Sequence, residues 1–187
     1  DAHTIRKYPE QKEVGNKIAC IYESIVANAS TIEEAEKIMV DSFRKDIKEP
    51  DMLIISDSKT AVAYEYTPEK EAMQRETEGA LLRTNSFKVL PGAPDENKDP
   101  SSHLRFRREK ELIRGVCSSE QIKKLLRDHE NGPGENSICR HGMKKGEYTT
   151  QYSVIAEIKD TAIDVFYVAN NMPCREEYKK ITLKRSV

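Results

Sequence analysis

Two side chains stand where short polar strings interrupt the regular patterning, and each is of a type that can handle charge on a substrate. Asn85 lies in Thr84-Asn85-Ser86-Phe87, where a strand-like run meets a long polar loop. An Asn amide held at a strand end can donate to an oxyanion developing on an attacked carbonyl. Arg140 lies in Asn136-Ser137-Ile138-Cys139-Arg140-His141. Its planar fork can hold a carboxylate through two parallel hydrogen bonds. Each has a plainer reading, Asn85 as a turn former and Arg140 as a surface ion-pair donor, and on the residues alone the plainer readings are favoured. Cys139 beside Arg140 could be an activated thiolate, but no orienting His–Asp pair accompanies it, so a buried structural cysteine is the preferred reading.

Other chemistries find little support. Walker, GxGxxG, HExxH and GxSxG patterns are missing. Cys139-Arg140-His141 offers two metal ligands, too few from one strand end for a site. Asp128-His129-Glu130 reads as a His and acids at a solvated helix end. The spacing of Cys20, Cys117, Cys139 and Cys174 contains no CxxC. Neither metal nor cofactor is expected. The run Arg105, Arg107, Arg108, Lys110 and Arg114 is interleaved with Glu109 and Glu111 and has only Phe106 as an aromatic neighbour, which describes a solvated helix face.

Composition supports the same exclusions. The 31 basic and 32 acidic residues nearly cancel, which argues against charge-driven disorder and against a generally basic, nucleic-acid-seeking surface. The most apolar run is about Met52-Leu53-Ile54-Ile55, far short of the ~20 residues of a membrane span, so no membrane partner is expected. A chain of 187 residues can bury roughly 70% of its surface without a staple. Four scattered cysteines read as reduced thiols in a cytoplasmic protein, with two disulfides in a secreted or periplasmic protein as the alternative.

The elements that must position Asn85 and Arg140 follow from periodicity. Ile18, Ile21, Tyr22, Ile25 and Ala29 mark one buried stripe of a helix over 15–29. Thr31 and Glu34 form a capping box for a second helix, with Ala35, Ile38, Met39 and Phe43 inward and Arg44 and Lys45 in its late turn. Residues 52–55 and 60–66 predict a hairpin, and 72–75 and 80–84 two further short strands around Gly79. Residues 88–100 carry the strongest loop signal. Ser101 or Ser102 predicts the cap of a helix ending at Gly115, and Ser118 opens another through Ile122, Leu125 and Leu126. Strands over 152–158, 162–168 and near 178–183 close the chain. Helix pairs segregated from strand groups predict an α+β fold with antiparallel sheet.

In this order, several strings resemble the isopenicillin-N acyltransferase-like family of N-terminal-nucleophile hydrolases. They are Thr31-Ile32-Glu33-Glu34-Ala35, the hairpin into Glu65-Tyr66-Thr67-Pro68, Thr84-Asn85-Ser86-Phe87, and Ser101-Ser102 before an Arg-rich helix. Then come Leu126-Arg127-Asp128-His129-Glu130-Asn131, the string from Asn136 to His141, and Val154-Ile155 running to Met172-Pro173-Cys174-Arg175-Glu176-Glu177-Tyr178. The resemblance spans about 15–185. It implies an αββα sandwich and a cysteine amidase or acyltransferase acting on linear carbon–nitrogen bonds. In that family the precursor cuts itself before a Cys, whose own α-amine, with a pKa of ~7.7–8, serves as general base. Asn85 then matches the oxyanion Asn, and Arg140 matches an Arg that positions substrate.

The family's nucleophile lies upstream of the helix over 15–29, and no residue of this sequence matches it. The expectation is therefore that 1–187 is the C-terminal portion of a single domain, inactive alone. Its implied partners are the upstream portion or chain, a small-molecule amide or acyl donor, and a second copy of itself. A non-catalytic α+β interaction module that has kept the scaffold is the alternative.

Overall fold

The computed structural model describes residues 11–91 and 100–184, with side chains from residue 17 onward. Four helices and two three-stranded antiparallel sheets make it α+β, as the segregated pattern predicts. The chain divides into two compact units, Asp1–Asp95 and Glu96–Val187.

In the first unit, α1 (Gln11–Asn28) begins before Gly15, earlier than the apolar stripe suggests. Ile21 and Ile25 are buried and Ile18 and Ala29 pack partly against them. Tyr22, expected in the buried stripe, is instead 46% exposed. It stands one residue on from Ile21, about 100° around the helix, and so falls on the flank. α2 (Ile32–Asp46) carries the full capping box: the Thr31 side chain accepts from the Glu34 N–H while the Glu34 carboxylate accepts from the Thr31 N–H. Ala35, Met39 and Phe43 face inward.

These helices cover a meander of β1 (Asp51–Ser56), β2 (Ala61–Tyr66) and β3 (Glu71–Glu76). The β1–β2 register runs from Asp51 opposite Tyr66 to Ser56 opposite Ala61. Asp57 sets the turn by accepting the N–H groups of Lys59 and Thr60 at 2.8 and 2.7 Å. Alternation on β2 sends Val62, Tyr64 and Tyr66 into the helix-facing core and Glu65 to the opposite face. Phe43 meets both tyrosines edge-on, with ring centroids 5.3 and 5.5 Å away. Such pairs add about 0.5–1.5 kcal/mol each beyond area burial.

Residues 80–84 do not form the strand that their composition predicts. Gly79 adopts φ 102°, which turns the chain out of the ladder. The Arg83 side chain then reaches back to Glu65 and Gln74. Of the predicted loop over 88–100, residues 92–99 lie outside the described residues, as do residues 1–10 of the polar leader.

In the second unit, α3 (Pro100–Leu112) starts at a proline suited to the first helical position. Ser101 and Ser102, expected to cap this helix, therefore lie inside its first turn and are buried; Ser101 Oγ donates to the Glu135 carbonyl at 2.6 Å. Gly115, with φ 74°, follows its end. α4 (Ser119–Leu126) has Ser118 as its N-cap and packs on the second meander. That meander is β4 (Tyr152–Ile158), β5 (Ala162–Ala169) and β6 (Lys179–Lys184), within a residue or two of expectation. Ser153 and Ile155 are buried on one face, whereas Val154, Ile181 and Leu183 remain exposed.

Candidate functional site

Asn85 belongs to an irregular segment of the first unit that a single carboxylate organises. Glu65 is fully buried. Its oxygens accept the backbone N–H groups of Lys88, Val89 and Leu90 at 2.7, 2.9 and 2.8 Å. Arg83 Nε lies 2.8 Å from Glu65 Oε1, with both side chains closed to water. The backbone is thus fixed on both sides of Thr84-Asn85-Ser86-Phe87, all of it partly buried. A segment without ladder hydrogen bonds would otherwise be a poor platform for a directed side chain; three charge-assisted bonds and an ion pair make it a rigid one.

Arg140 lies in the second unit. Its Nη2 is 3.7 Å from Glu135 Oε2, and its guanidinium stands 4.9 Å over the Tyr148 ring. Its Nε is buried with no hydrogen-bond partner. Its backbone is pinned by the Thr150 hydroxyl, 2.9 Å from the Arg140 N–H, and by the Arg140 carbonyl, which accepts from the Thr150 N–H at 3.0 Å. The fork is thus ordered and partly withdrawn from water.

A second grouping in the same unit was not foreseen. His129, Cys139, His141 and Cys174 each bring one ligand atom to a common point, all within 4.8 Å of one another. His129 and His141 approach Nε2 to Nε2 at 2.9 Å; Cys139 Sγ and Cys174 Sγ stand 3.6 and 3.2 Å from His141 Nε2. Cys139-Arg140-His141 supplies two ligand atoms, as expected, and two more come from distant segments. Asp128-His129-Glu130 is likewise more than a solvated helix end. Each of three strings, around residues 129, 139–141 and 174, holds a His or Cys; that shared chemistry was the available signal.

Arg108 and Arg127 hold segments of this grouping, and Arg105 and Arg108 correct the reading of a wholly solvated basic face. Arg108 grips the Asp128 carboxylate with both nitrogens, at 3.1 and 2.8 Å, and Arg105 is buried. Burial alone would raise the Asp128 carboxyl, but the Arg108 contact and the Glu130 N–H hold it below its ordinary value. The Asp128 carbonyl accepts the Cys139 N–H at 3.1 Å. Arg127 donates to the carbonyls of Pro173 and Glu176 at 2.7 and 2.9 Å, fixing the segment that carries Cys174. Cys139 is completely buried, and its thiol is pushed up to about 12, first by burial. An activated nucleophile needs the reverse, and complete burial accords with a structural cysteine. Burial, and then the charges of His129 and Arg175, lower the His141 imidazole.

Comparison with known families gives a match over residues 6–171 to the model described as acyl-coenzyme A:6-aminopenicillanic acid acyl-transferase. No curated protein and no solved structure matches the chain significantly. The match covers most of the sequence, and the chain belongs to that family.

Proposed function

We propose that this member of the acyl-coenzyme A:6-aminopenicillanic acid acyl-transferase family is the C-terminal part of a cysteine N-terminal-nucleophile enzyme that hydrolyses or transfers acyl groups at linear carbon–nitrogen bonds. The observation that carries the reading is the family match over residues 6–171. Glu65 supports it, because a buried carboxylate spent on three loop amides and one arginine is a costly way to make a turn. It is reasonable where an amide must be aimed.

In this mechanism a cysteine thiolate supplied from outside the chain attacks the amide carbonyl. Its sulfur–carbon bond forms as the carbonyl π pair moves to oxygen. Asn85 Nδ2 donates to that oxygen, and collapse expels the amine, which takes a proton from the nucleophile's own ammonium group. Arg140 receives a carboxylate of the substrate through its guanidinium. The exposed apolar face formed by Val154, Ile181 and Leu183 suits packing against the upstream portion or a second copy, as an αββα sandwich requires.

The test is Asn85→Ala in the active protein. A donor to the oxyanion is worth ~10²–10³ in kcat, with KM and Tm little changed. Loss of stability with kcat per folded molecule preserved would return Asn85 to a structural role.

A further inference from the structure

We propose that His129, Cys139, His141 and Cys174 form a closed, tetrahedral site for a zinc-type divalent cation that fastens three segments of the second unit together. The donor set is two thiolates and two imidazoles, the softness that selects zinc over calcium or magnesium.

The distances suit such an ion. A tetrahedral centre with sulfur at about 2.3 Å and nitrogen at about 2.0–2.1 Å requires donor–donor separations of roughly 3.3–3.8 Å. Of the three separations at His141 Nε2, 3.6 Å falls inside that range and 3.2 and 2.9 Å fall short of it by about 0.1 and 0.4 Å, so the ligands must open slightly to admit the ion. All four atoms lie within 4.8 Å of one another.

The hydrogen-bond alternative fails on valence. His141 Nε2 is approached by His129 Nε2, Cys139 Sγ and Cys174 Sγ together. An imidazole nitrogen has either one lone pair or one N–H, so it serves one of these three partners in its plane, and the hydrogen bond between the Cys139 and Cys174 side chains does not account for the convergence of both on that nitrogen. A cation at the centre satisfies all four donors at once.

The surroundings are those of a ligand shell. Arg108 holds Asp128, next in sequence to His129, and Arg127 holds the carbonyl of Pro173, next to Cys174, so the segments that carry these two ligands are fixed. The Cys139 N–H and His141 N–H are also committed, to the carbonyls of Asp128 and Gly134 at 3.1 and 3.0 Å.

Charge and protons balance. Two thiols each release a proton to solvent, the two thiolates cancel the dication, and the imidazoles stay neutral. No electron moves. With four protein ligands there is no open position, so the ion is structural.

The experiment uses the chain of residues 1–187, reduced and freed of metal, then exposed to zinc or cobalt and desalted. The expected result is about one equivalent of retained zinc. Cobalt should give thiolate charge-transfer bands in the near ultraviolet and tetrahedral d–d bands in the visible. His129→Gln, an exposed and foldable change, should weaken metal affinity at least tenfold at unchanged circular dichroism, and Cys174→Ser should abolish the charge-transfer contribution of one sulfur. A reduced, folded chain that retains under a tenth of an equivalent and shows no tetrahedral cobalt spectrum overturns the proposal. So does equal metal retention by both variants. So does a metal-free native protein whose mass is lower by two protons until a reductant is added, which would identify a Cys139–Cys174 disulfide.

Discussion

Arg83 and Glu65 form an ion pair shielded from water, Nε to Oε1 at 2.8 Å with the two side chains 5% and 0% exposed. Neither partner is tolerable there alone. Glu65→Gln removes the negative charge while Arg83 stays buried, and it weakens three bonds to the loop backbone. The expected cost is about 3–5 kcal/mol, read from urea denaturation. A loss below 1 kcal/mol would mean that Arg83 escapes to solvent when unpaired.

Arg140 has partners of its own, Glu135 and the Tyr148 ring. The Arg140 side chain is only 15% exposed, so its loose ion pair and its cation–π contact together should make Arg140→Ala cost about 1–2 kcal/mol in stability. If the guanidinium also holds a substrate carboxylate, Arg140→Lys should raise KM while leaving kcat nearly unchanged. Unaltered kinetics in both variants, measured on the active protein, would confine Arg140 to holding its own loop.

Asp51 is a buried acid whose Oδ2 lacks a hydrogen-bond partner. Burial raises its carboxyl above the ordinary value, opposed only in part by the Met52 N–H. An acid raised on folding opposes folding at pH values above its folded-state pKa, and protonation relieves that penalty as pH falls. Asp51→Asn should therefore be more stable than the parent at pH 7, with the advantage shrinking in acid. Denaturation midpoints at a series of pH values test this; an advantage that grows in acid would refute it.

Asp164 has the opposite sign. The Lys159 ammonium, the Thr182 hydroxyl and the Lys180 ammonium all contact its carboxylate and hold it far below the ordinary carboxylate range. A depressed acid stabilises the fold at pH values above its unfolded pKa, and that contribution disappears as pH falls toward the folded value. Asp164→Asn should destabilise at pH 7, with the difference narrowing progressively in acid and closing only below the folded-state pKa. Amide exchange along β5 and β6 gives a local readout.

What was legible in the sequence was what neighbours in sequence decide. The Thr31–Glu34 capping box, the Ser118 cap and the apolar, β-forming runs of β1, β2, β4 and β5 need only a few adjacent residues. What was hidden needs distant ones. Residues 80–84 have strand composition, yet Arg83 is claimed by Glu65, eighteen positions earlier, and the ladder is abandoned. Ser101 and Ser102 look like caps until Pro100 takes the first helical position. Arg105 and Arg108 read as solvated because Asp128, the partner of Arg108, lies twenty residues away. The four converging His and Cys side chains belong to three strings, none of which holds a metal alone. Asn85 could be picked out as a residue, but Glu65, which fixes its segment, could not.

The strand order of each sheet has a consequence for how fast the chain folds. Both sheets are meanders, β1-β2-β3 and β4-β5-β6, so every ladder joins strands that follow one another in sequence. Closing short loops costs little entropy, and proteins rich in such contacts fold in microseconds to milliseconds. The bonds that must wait are those from Glu65 to Leu90, 25 residues on, and from Arg127 to Pro173, 46 residues on. Helices and hairpins should therefore gain amide protection first, with the Asn85 segment and the Cys174 segment docking afterwards as the slow steps of their respective units.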